Sequence, residues 1–117
     1  MTTKKRRIQS VRKPTAASNA NGVAAMPGRP YERAIRRRLA SVRAVDAVYV
    51  SRDDDGCVHV YSVVSEYADG AYRKLLKQER LIEKEFPEVP LEFHVRAHQG
   101  REPSRAVPFG SQPLFVR

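Results

Sequence analysis

The side chains able to do chemistry in this chain gather in two short runs. Cys57 and His59 sit two residues apart in Cys57–Val64, flanked by Tyr49 and Tyr61. His94, Arg96 and His98 recur at every second position of Leu91-Glu92-Phe93-His94-Val95-Arg96-Ala97-His98. Period-two spacing is that of a half-buried strand, so each set shares one face. Rings and a guanidinium on an open sheet can stack bases, as RNA-recognition sheets do. The same groups suit a sheet-to-sheet homodimer or another protein partner, because Tyr and Arg are enriched in interface cores. They are equally compatible with plain strand propensity. For a metal ion, Cys57 and His59 form a feasible ligand pair on one face. His94 and His98 do not, since four residues of strand separate them by about 13 Å. A site would need Cys57, His59 and one histidine of the later strand, and the expectation is no metal and no cofactor.

The elements that must position these groups follow from patterning. Pro30 suits a helix start, and Tyr31, Ile35, Leu39 and Val42 recur at helical spacing over about 12 residues. Ala44–Arg52 and Cys57–Val64 read as strands around Asp53-Asp54-Asp55-Gly56. A three-residue loop Asp54-Asp55-Gly56, with Gly56 left-handed, pairs Val50 with Val60 and Val48 with Ser62. That register puts Val48, Val50, Val58, Val60 and Val64 on one face, whereas a two-residue loop would mix the faces. The three aspartates lack the spacing and closing glutamate of a calcium loop and read as turn chemistry.

Asp69 is a candidate cap for a second helix that Pro87 ends after Phe86. Its stripe is Tyr72, Leu75, Leu76, Ile82 and Phe86. Glu79 falls inside it and must reach solvent or find a partner. The predicted fold is a two-layer αββαβ α+β sandwich with both helices on one face. The sheet is mostly antiparallel and three-stranded, or four-stranded if Leu114-Phe115-Val116 adds a short edge strand. Residues 1–29 read as a disordered basic arm, 30–100 as the domain, and 101–117 as a C-terminal extended segment.

Charge is uneven along the chain. Residues 31–117 hold 15 basic and 13 acidic groups, so the arm supplies most of the net +9. Lys4, Lys5, Arg6, Arg7, Arg12 and Lys13 in the arm, with Arg33, Arg36 and Arg37 in the first helix, are the candidate nucleic-acid contacts. One cysteine allows no intrachain disulfide and favours a reducing compartment, taken as the cytoplasm. No apolar run reaches membrane-span length, and no apolar stretch follows the basic N-terminus as in a secretory signal. Nucleotide-loop, HExxH and CxxC motifs are missing, so an enzyme is not expected.

The run from Tyr72 to Val95 (YRKLLKQERLIEKEFPEVPLEFHV) resembles small uncharacterised bacterial αββαβ proteins in which a helix ends in Phe-Pro before an F-H-V strand. That resemblance spans about residues 31–100 and implies no particular activity. The element order also resembles the KH type II-like fold of ribosome-binding factors, which implies RNA, although no GxxG occurs here. It resembles as well the cytoplasmic domain of cation-efflux transporters, which implies dimerisation and metal. The two functions expected are a non-enzymatic interaction or self-association module and, in its place, a nucleic-acid-associated protein.

Overall fold

The computed structural model describes residues 28–117. The six basic residues from Lys4 to Lys13 lie outside the described residues, as does the expected disordered arm up to residue 27.

Helix α1 spans Pro30–Ala40. Pro30 takes the first turn, where its missing N–H costs nothing. Glu32 accepts the Arg29 N–H and faces the positive end of the helix, while Arg37 and Arg38 occupy the last turn. Ala34, Ile35 and Leu39 are buried. Strands β1 (Val45–Arg52) and β2 (Val58–Val64) follow as an antiparallel hairpin. Its register is the one the turn chemistry demands, with Val50 opposite Val60 and Val48 opposite Ser62. The Gly56 N–H closes the turn on the Asp53 carbonyl, and Gly56 has a φ of 86°, which glycine tolerates best.

Helix α2 runs Asp69–Glu85, and the non-helical Phe86 precedes Pro87. Asp69 is the first helical residue, not the cap. Ala68 holds the cap position without a side-chain bond, and the Asp69 carboxylate favours the helix only through its place in the first turn. Strand β3 (Leu91–Ala97) then pairs with β2 in parallel, as a helical crossover requires. Strand β4 (Gln112–Val116) pairs antiparallel with β1, so the sheet has four strands in the order β3-β2-β1-β4. The result is an α+β fold with a mixed sheet.

The main core lies between helices and sheet. Ile35, Leu39, Leu75 and Ile82 meet Val45, Val48, Val50, Val58, Val60 and Val64, with Phe93 and Val95 at its margin. Each such side chain contributes about 1.5–3 kcal/mol when fully buried. Two polar residues are buried as well, Ser62 and Glu79. Glu79 neither reaches solvent nor finds a partner through Oε2. Burial, with the Glu83 charge added, pushes its carboxyl up to about 7. Tyr72 is half exposed, so the core stripe of α2 is narrower than its spacing suggests. No helix among the described residues is long and apolar enough to cross a membrane.

Candidate functional site

The face of the sheet turned away from the helices is not an open platform. The last segment of the chain folds back through a short 3-10 helix, Pro103–Ala106, and lays Ala106 and Val107 against Ala47, Tyr49, Tyr61 and Val63. Tyr49 and Tyr61 each keep only 7% of their surface exposed. Neither phenolic ring is free to stack on a base or on a second sheet. The segment around the 3-10 helix is therefore a lid on part of the face, while residues 112–116 join the sheet as β4, and the Ala-Val contact is too short to read from periodicity.

The uncovered part of this face lies along β2 and β3, where the parallel register sets His59 opposite Glu92 and Tyr61 opposite His94. His94 stacks on Tyr61 with ring centroids 4.7 Å apart, and the His59 ring lies 5.3 Å from His94. Arg96 holds its guanidinium 5.6 Å from the Tyr61 ring. His59 Nδ1 is 3.1 Å from His94 Nε2 and 3.2 Å from Glu92 Oε1. On its other side, His59 Nε2 is 3.0 Å from Asp53 Oδ2.

Asp53 thus serves two structures at once. Its Oδ1 accepts the N–H groups of Asp55 and Cys57, which is the turn chemistry expected of the aspartate run. Its Oδ2 holds His59. Burial pushes the Asp53 carboxyl up, but the His59 hydrogen bond, the two backbone N–H groups and the His59 charge outweigh it, and the group lies below its ordinary value. His94 is also shifted down, first by burial and then by the Arg96 charge; Glu92 opposes and His59 adds to the shift.

His98 stands apart from this cluster. β1 bulges between Val45 and Ala47, and Asp46 is the extra residue. The bulge aims its carboxylate at His98 Nε2, 2.8 Å away, while His98 Nδ1 accepts the Gly100 N–H. Two partners fix the ring as a structural tie. Cys57 is buried at the start of β2, near Asp53 and His59.

A second feature lies at the opposite end of β1. A cleft of about 750 Å³ opens between α1, the hairpin end and the loop before β4, and Arg33, Arg36 and Arg52 line it. Arg52 pairs with Glu32 at 3.7 Å and donates to the Tyr31 hydroxyl at 2.6 Å. Burial pushes up both the Tyr31 phenol and the Glu32 carboxyl; Glu32 adds to the Tyr31 shift, and Arg29 opposes both. Phe109 is fully exposed at the rim. Arg37 does not line the cleft. Of the three helix arginines named from sequence, two converge there, and Arg52 and Phe109 join from elements that spacing does not connect to α1.

No protein-family model matches the chain, and comparison with curated proteins finds no match.

Proposed function

We propose that the protein is a non-enzymatic binding module whose partner is single-stranded nucleic acid. The observation that carries this reading is the cleft in which Arg33, Arg36 and Arg52 lie beside the fully exposed Phe109. Guanidinium groups that line a groove neutralise phosphates, and a free aromatic ring at its rim stacks a base. The basic arm joins the domain at this cleft, because the Arg33 guanidinium donates to the Gly28 carbonyl and Pro30 begins α1. The covered tyrosines move this role away from the sheet face.

The test is a salt titration of binding to a labelled single-stranded oligonucleotide. Engagement of the six basic residues from Lys4 to Lys13 gives a log–log slope of about −4. Arg33→Gln with Arg36→Gln should reduce the slope by about 1.4. Phe109→Ala should weaken binding without changing the slope. Absence of binding at low salt would remove the nucleic-acid reading.

Self-association, or docking of a protein partner, is the second reading. β3 and β4 are edges of the sheet, and an unpaired edge is a template for another strand. Pro113 and the shortness of β4 blunt one of these edges. Light scattering of the full chain decides between a monomer and a dimer.

A further inference from the structure

The geometry points to a divalent transition-metal site made by His59 Nδ1, Glu92 Oε1 and His94 Nε2, with Asp53 as the residue that orients His59. Each of these three residues places a ligand atom within 4.8 Å of one from each of the others. His59 Nδ1 is 3.2 Å from Glu92 Oε1 and 3.1 Å from His94 Nε2. Bonds of about 2.0–2.1 Å to one ion place neighbouring donors about 2.9 Å apart in octahedral and about 3.3 Å apart in tetrahedral geometry. The two measured separations fall between these values.

Hydrogen bonding supplies an independent reason. Asp53 Oδ2 can only accept, so His59 Nε2 carries a proton toward it. That bond turns Nδ1 of the ring toward Glu92 Oε1 at 3.2 Å and His94 Nε2 at 3.1 Å together, where one metal ion can be shared among the three. A carboxylate bound to the far nitrogen of a ligating histidine is the usual outer support of such a site. A second grouping, Asp53 with Cys57 and His59, shares one histidine. It is the weaker choice, because Asp53 Oδ1 is already engaged by two backbone N–H groups.

Two imidazoles and one carboxylate suit Zn²⁺ and its neighbours Co²⁺ and Ni²⁺ better than Mg²⁺ or Ca²⁺. Glu92 is exposed, so the ion would face solvent and keep water in its remaining positions. The site is independent of the nucleic-acid cleft.

The test uses the full chain, free of any affinity tag and treated with chelator, titrated with Co²⁺ and followed by its visible absorption. The expected result is one equivalent bound, with Zn²⁺ displacing Co²⁺ and raising the melting temperature. His94→Ala and Glu92→Gln each weaken binding at least tenfold, while His98→Ala leaves it unchanged. His94 and Glu92 lie on an edge strand, so these variants keep the test decisive even if His59→Ala fails to fold. No Co²⁺ binding below about 1 mM overturns the proposal. Equal affinity in wild type, His94→Ala and Glu92→Gln overturns it as well.

Discussion

The two faces of the sheet are written by the same alternation yet hold together by different physics. On the helix side, Val48, Val50, Val58, Val60 and Val64 meet Ile35, Leu39, Leu75 and Ile82 in a cluster whose cohesion has no direction. On the other side, Tyr49 and Tyr61 are closed over by Ala106 and Val107, and the rest is a chain of directed contacts from Asp53 through His59 and His94 to Arg96. The first face tolerates any apolar shape of the right volume. The second is fixed by which nitrogen meets which oxygen. Stability is therefore concentrated on one face and chemistry on the other.

The harshest way to break that contrast is a charge on the aliphatic face. Val60 is fully buried, and Val60→Asp should cost about 4 kcal/mol or more. Small domains are stable by only about 5–15 kcal/mol, so far-UV circular dichroism should find this variant largely unfolded at 25 °C. Next comes the covered half of the outer face. Tyr61→Ala removes a ring packed between His94 and the C-terminal lid, and a loss of about 3 kcal/mol in urea unfolding is expected. A loss below about 1 kcal/mol would mean that the lid does not close on Tyr61 in solution.

The aliphatic side has its own exception in Glu79, and it gives a smaller effect of opposite sign. The folded protein holds this carboxyl near 7, while the ordinary value is 4.5. The folded state therefore binds the extra proton between those values. Stability is intact below about pH 4.5 and is lost as pH rises through 7. Glu79→Gln removes that loss. It should match wild type near pH 4.5 and exceed it by about 1–3 kcal/mol at pH 8. Denaturation midpoints of both proteins across this range check it, and a pH-independent difference would place the carboxylate in contact with water.

The helix-side face was legible in the sequence because two local rules agreed. The Asp-Asp-Gly loop set the hairpin register, and that register alone gathered the valines. The outer face was legible in membership but not in use. His59, Tyr61, His94 and Arg96 do share one side, but the neighbour of His59 depends on the parallel β2–β3 register, which a helical crossover leaves open to a slide of two residues. Spacing within single strands therefore joins His59 to Cys57 and does not bring Glu92 to it. Asp53 was read as turn chemistry, which it is, but its second oxygen binds His59 through a contact that no turn rule foresees. The lid over Tyr49 and Tyr61 escaped because Ala106 and Val107 are two small residues in a loop, with no period to betray them.

The finest comparison is between two histidines on the same face. His98 uses both nitrogens, one on Asp46 and one on the Gly100 N–H, and the Asp46 bond ties β1 to the end of β3. A glutamine reaches one of those partners but not both, so His98→Gln should cost about 1 kcal/mol. His94 contributes stacking on Tyr61, and its Nε2 lies 3.1 Å from His59 Nδ1. With chelator present, the corresponding His94→Gln change forfeits a contact worth about 0.5 kcal/mol. Urea melts of both variants at pH 7.5 with chelator should rank His98→Gln as the more damaging. Added Zn²⁺ should then reverse the apparent order: wild type and His98→Gln both gain the linkage stabilisation of a bound ion, and His94→Gln gains none. A structural role for both histidines predicts no such crossing, because an ion without a site moves all three curves alike.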